Sequence, residues 1–165
     1  MKEKWEKLIE LLNEMIELYS TILVLSKDKR EALIEVKPQK LEAVTQQEEL
    51  LIVKVGKLEA SRGKIMREIA EACGVELEEL TLSGMVELAG PNYSERLTKV
   101  ADDFDRIMGE LVVVNRLNAE LIEQALGFIN FNINVLAQST TASTYAPQGQ
   151  VPKGNDGRKL IDRRI

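Results

Sequence analysis

An all-α fold, an antiparallel bundle of three long helices with a short connector helix and a mostly irregular C-terminal tail, is predicted by three observations. Apolar residues recur at alternating spacings of three and four along three stretches of the 165-residue chain, which keeps one stripe on one helix face. Prolines stand at the junctions of those stretches: Pro38 is the only one before Pro91. Composition then changes abruptly at Gln138.

The first stripe runs Trp5, Leu8, Leu12, Met15, Tyr19, Ile22, broadened by neighbours such as Ile9 and Leu23. It weakens over residues 26–30 and recovers at Leu33, so the spacing predicts a helix over about residues 2–35. Pro38 ends it, because a proline forces the residue before it out of the α region while fitting the first turn of the next helix. The second stripe, Leu41, Val44, Glu48, Leu51, Val55, Leu58, Arg62, Ile65, Ile69, Ala72, has polar interruptions at 48 and 62. It predicts a helix over 38–73 with Gly74 as its left-handed C-cap. Two helices of this length joined by so short a turn fold back antiparallel. Gly56 and Gly63 interrupt the second, either to ease a neighbour's approach or simply tolerated, at about 1 kcal/mol each relative to Ala.

Residues 77–89 read as a connector of one or two short helical turns packed over an end of the bundle, broken at Gly84 and closed by Gly90 and Pro91. The third long helix is expected over 92–137. It opens at Asn92 with Glu95 three residues on, a capping-box pattern. Its stripe runs Tyr93, Leu97, Val100, Phe104, Ile107, Leu111, Val114, Asn118, Leu121, Ala125, Phe128, Asn132, Val135. The bundle therefore covers 1–137, followed by a tail over 138–165. That tail has five basic residues against two acidic ones, a net charge of +3 on a chain whose total is −5. A basic tail on an acidic body can dock on its own protein or on a partner.

Composition excludes much chemistry. With no histidine there is no Ser-His-Asp or Cys-His nucleophile system and no imidazole acid or base at neutral pH. One cysteine, Cys73, without histidine leaves no ordinary zinc site and no internal disulfide. The carboxylates Glu3, Glu6, Glu10, Glu14, Glu17, Glu71, Glu76, Glu78 and Glu79 lie on polar faces with lysines nearby, which is solvated helix surface rather than an acid/base pair. No catalytic residue, cofactor site or metal site is expected. An acidic chain is poorly suited to a nucleic-acid backbone, and charges break every apolar stretch short of the roughly 18 residues a membrane span requires. The charged start lacks the apolar core of a signal peptide, and a reduced cysteine fits the cytoplasm.

The sharpest local feature is the second half of the last helix. From residue 111 to 136, 16 of 26 residues are apolar, more than one bundle face needs. Two stripes run side by side: Leu121, Ala125, Phe128, Val135, and Ile122, Leu126, Ile129, Ile133, Leu136, with Phe131 off both. Such a face can receive a partner's amphipathic helix, form a homodimer seam, or be buried in a central helix. Asparagine recurs here at 115, 118, 130, 132 and 134; at the core-like position 118 it can fix register between helices.

Four segments, in this order, resemble one family. KREALIEVKPQKLEAVTQQEELL over 29–51 and KLEASR over 57–62 are similar to the first hairpin of the FlgN family of flagellar export chaperones. NRLNAELI over 115–122 resembles its paired-asparagine stretch in the last long helix, and TYAPQG over 144–149 with RKLIDR over 158–163 resembles its tail. The resemblance implies a cytoplasmic, non-enzymatic chaperone for the hook–filament junction proteins, FlgK and FlgL. It would hold their C-terminal segment, keep them unassembled and deliver them to the flagellar type III export gate. It also implies substrate contact on the last helix, at Ile122, Leu126, Ile129, Phe131 and Ile133, and contact with the export gate through Tyr145. A weak homodimer is compatible with this role. The rival from a different class is a coiled-coil scaffold whose second apolar face is a self-association seam.

The tail adds little apolar burial, so deleting residues 139–165 should leave the thermal midpoint nearly unchanged. A drop beyond about 10 °C in a melting experiment would contradict the division into bundle and tail.

Overall fold

The computed structural model describes residues 1–141, and they fold as the periodicity predicts, into helices only. α1 spans Lys2–Ile34 and α2 Pro38–Cys73. A single 3-10 turn at Leu77–Glu79 and the short α3, Leu82–Ala89, form the connector. α4 runs Pro91–Thr141. The chain divides into two compact units, Met1–Leu126 and Gly127–Ile165.

In the first unit α1 lies antiparallel to α2. The Lys4 ammonium donates to the Glu68 carbonyl at 2.9 Å near one end, and Lys40 pairs with Glu31 at 3.2 Å near the other. α4 runs parallel to α1: Arg96 meets Glu6 at 2.9 Å, and Asn118 meets Ser26 further along. These exposed ion pairs set register more than stability, since each is worth about 0–1 kcal/mol.

The packing explains why α1 sits at the centre. Trp5, Leu8, Ile9, Leu12 and Met15 are buried with Ile69 and Ala70 of α2 and Leu97 and Val100 of α4. Leu80 and Met85 from the connector, each 2% exposed, join this cluster and cover the end of the bundle. A second cluster forms further along α1 from Ile22, Leu23, Val55, Leu111 and Val114. Between them the Tyr19 and Phe104 rings meet edge to face, with centroids 5.5 Å apart.

One polar network crosses this apolar seam. The Asn118 amide donates to the Ser26 carbonyl at 2.8 Å, the Ser26 hydroxyl to a Glu48 carboxylate oxygen at 3.1 Å, and Lys29 pairs with the other oxygen of Glu48. Ser26, Glu48 and Asn118 are all buried. Asparagine at a core position thus ties α4 to α1 in one register, as its place on the stripe suggests.

The junctions show where local chemistry decides. Gly74 closes α2 in the left-handed region at φ 69°, and its N–H donates to the Ala70 carbonyl. α4 departs from expectation at its start: Asn92 does not cap it. The Gly90 carbonyl accepts from the N–H groups of Tyr93 and Ser94, which makes Gly90 the cap and Pro91 the first helical residue. Pro91 forfeits no hydrogen bond there and brings a preset φ, so it outcompetes the side-chain cap one residue later. At its other end the helix continues to Thr141, past the composition change at 138. A Cβ at Gly56 or Gly63 would meet nothing within 4 Å, so neither glycine serves a close approach.

The α1–α2 turn is a Schellman motif. Lys37 N–H donates to the Ala32 carbonyl at 2.9 Å and Val36 N–H to the Leu33 carbonyl at 3.3 Å. The motif puts its penultimate residue in the left-handed region, and here that residue is Val36, at φ 55° and 83% exposed. A β-branched residue there costs about 1–2 kcal/mol. Val36→Gly removes that strain against about 0.4–1 kcal/mol of added unfolded-state entropy. It should raise the melting temperature by about 2 °C in a calorimetric scan. A lower melting temperature would mean that the valine side chain is held by a compensating contact.

Candidate functional site

The apolar face of α4 is spent on the bundle only as far as its middle. In the first unit, Leu97, Val100, Ile107, Leu111, Val114 and Asn118 are buried, every one a stripe position. Leu121 is half-buried, and beyond it burial ceases: Ile122 is 39% and Leu126 55% exposed. In the second unit, Phe128, Ile129, Phe131, Ile133, Val135 and Leu136 are all exposed, between 46% and 68%. Burial in a central helix therefore does not account for these side chains.

Helical geometry sorts the residues the sequence pointed to. Ile122, Leu126, Ile129 and Ile133 follow the four-three-four spacing and share one stripe of α4. Phe131 does not join them. At 100° per residue it lies about 160° around the helix from both Ile129 and Ile133, and it aligns instead with Phe128 and Val135. One helix docked on the isoleucine stripe cannot also cover Phe131. Tyr145 lies outside the described residues.

The chemistry of this face is uniform. No Lys, Arg, Asp or Glu occurs from 124 to 138, so no charge opposes or directs a partner along it. Asn132, set between the stripes, turns its amide back to the Phe128 carbonyl at 2.9 Å and so occupies its own helix. The face is an exposed apolar stretch on a surface otherwise rich in charge. Among the described residues no helix is long and apolar enough to cross a bilayer.

The carboxylates offer no competing site. Glu3, Glu10, Glu14 and Glu17 are exposed along α1, and Lys7, 2.7 Å from Glu3, holds that carboxyl below its ordinary range by hydrogen bonding and charge. The same contact holds the Lys7 ammonium above its own range. Burial pushes the Tyr19 hydroxyl up, but Tyr19 belongs to the aromatic pair in the core. Among the described residues no group of three or more His, Cys, Asp or Glu side chains could hold a metal ion.

Sequence reasoning missed the Ser26–Glu48–Lys29–Asn118 network as a unit. Its signal was present. Glu48 and Asn118 interrupt their stripes, and Ser26 follows Ile22 by four, so three polar groups fall on core positions of three helices.

The family model described as FlgN protein matches residues 1–153. A protein of Bacillus subtilis (strain 168) named "Uncharacterized protein YvyG" is 25% identical over 159 residues, covering 95% of this chain and 96% of that protein. No solved structure matches. A match over nearly the whole length, spanning the helical hairpin and the long last helix alike, identifies the chain as a member of the FlgN family, a family of flagellar export chaperones.

Proposed function

We propose that this protein acts in the cytoplasm as the export chaperone of hook–filament junction proteins of the FlgK and FlgL type. It holds their C-terminal helical segment, prevents premature assembly and hands them to the flagellar type III export gate. The observation that carries this reading is the exposed apolar face of α4 from Ile122 to Ile133, with no charged residue after Glu123. Assembly segments that pair as amphipathic helices present apolar residues at i, i+3, i+4 and i+7, and a helix face of matching period masks them while they await export. Ile122, Leu126, Ile129 and Ile133 form the stripe that receives such a segment. Phe131, with Phe128 and Val135, offers a second contact line on the other side of the helix. Tyr145 is assigned to the export gate on family likeness alone.

The test is calorimetric titration of the full chain with the C-terminal segments of the hook-associated proteins of the same organism, with oligomeric state read by light scattering. Stoichiometric binding in the sub-micromolar to micromolar range is expected. The double substitution Ile129→Asp and Ile133→Asp should abolish it while circular dichroism remains unchanged, since both side chains are about half exposed. No binding together with a stable oligomer would replace the chaperone by a scaffold with its seam on α4. Collapse of the helical signal in the double variant would show the stripe to be core.

A further inference from the structure

α2 turns its buried residues to one side. Val44, Glu48, Val55 and Ile69 are buried against the bundle, and Val53 points the opposite way, about 180° around the helix from Val44. The face centred on Val53 carries two large apolar side chains, Leu50 at 66% and Val53 at 59% exposure, with Gly56 beside them. No part of the bundle approaches Gly56, since a Cβ there would meet nothing within 4 Å. The room that its missing side chain leaves lies on the outer surface.

Charge on this face is segregated about the same point. Glu49 and Glu42 stand four and eleven residues before Val53, and Lys57 and Lys64 stand four and eleven residues after it. All four project within about 40° of Val53 around the helix. They are exposed, and among the described residues no ion pair engages them. The helix dipole does not produce this arrangement. It acts within the first and last turns, and α2 has no acidic residue in the former and no basic residue in the latter. Pairing along the helix does not produce it either, because Val53 itself occupies the position four residues after Glu49 and four before Lys57.

A two-fold axis accounts for it. Two copies of α2 laid antiparallel about Val53 bring residues equally distant from it to the same level. Glu49 then meets the partner's Lys57, and Glu42 meets the partner's Lys64, each pair occurring twice. Leu50 falls opposite Gly56, large against small, and Val53 packs on its own copy. A parallel pair in register would instead set each carboxylate against the same carboxylate.

We propose that the outer face of α2 is a self-association site, through which two copies of this chain pair antiparallel about a two-fold axis at Val53. A face that is its own complement, in charge and in side-chain size, is what an isologous contact requires. The occupant is therefore a second copy rather than a foreign helix, which has no need of opposite charges at mirrored distances on one face. The contact from Glu42 to Lys64 runs about 33 Å, one helix against one helix, so the pair is weak and depends on concentration. It shares no residue with the apolar stripe of α4. The inference therefore goes beyond the chaperone reading and leaves that stripe to the exported partner.

Sedimentation of the full chain from about 5 to about 500 µM tests it. The parent should shift from monomer to dimer as concentration rises, and less so at high salt. Glu49→Lys and Lys57→Glu should each weaken association about tenfold, because each turns two attractions into two repulsions. The two together restore opposite charges across the axis and should return association to within about threefold of the parent. Direction is read by crosslinking in a Cys73→Ser background. Oxidation should join Val53→Cys chains to one another and leave Lys64→Cys chains separate, since position 64 stands about 33 Å from its copy. The α2 substitutions change exposed side chains, so circular dichroism should not change. A parent that stays monomeric throughout, or a dimer that neither charge reversal weakens, overturns the proposal. So does crosslinking at both positions, which signals a parallel pair. A dimer split by Ile129→Asp with Ile133→Asp but by neither α2 variant places the seam on α4 and overturns it as well.

Discussion

Everything in the bundle depends on α1 serving two neighbours with a single apolar stripe. Trp5, Leu8, Leu12 and Met15 are buried against α2 and α4 together, with the connector closing the end. Few aromatic residues are available to enlarge that core, only seven in the chain, so the helices must be long to bury enough surface. Length in turn makes register the critical variable, because a helix that slips along its partner trades one set of apolar contacts for another nearly as good. The buried Asn118–Ser26 bond resists such slippage by penalising every register that leaves those groups unpaired.

That solution has a cost. The network places Glu48, Ser26 and Asn118 among apolar neighbours and leaves the buried Asn118 Oδ1 without a donor. Beyond it, α4 keeps its apolar periodicity although burial has stopped. Sequence and packing thus part company along one helix. The first half of the stripe is explained by the bundle, and the second half repeats the pattern with nothing in the described residues to bury it. The chaperone reading proposed above gives those exposed isoleucine and phenylalanine side chains a partner's surface to meet.

How much of this was legible in the sequence differs from element to element. The limits of α2 were readable to the residue, because Pro38 and Gly74 are terminators whose backbone preferences allow little else. The start of α4 was misread by one or two residues, because a capping box at Asn92 and a proline at Pro91 compete for the same function and periodicity cannot rank them. The α4 face is legible as excessive for a bundle, and Phe131 as lying off the isoleucine stripe; only the family resemblance places it among the same contacts. Its neighbours in sequence are not its neighbours at 100° per residue. The polar network was visible only as separate anomalies, since nothing in one chain's periodicity says that Glu48, Ser26 and Asn118 occupy the same level of three helices. The left-handed Val36 was not legible either, because valine carries no signal for that conformation.

The central claim is that the exposed face of α4 is where the exported partner lies. Hydrogen exchange of the full chain, with and without a junction-protein C-terminal segment, tests it most directly. The account predicts slowed exchange concentrated in residues 118–136, with the α1–α2 hairpin near Trp5 and Ile69 unchanged. Protection confined to the hairpin, or bound segment without any change in α4, would contradict it.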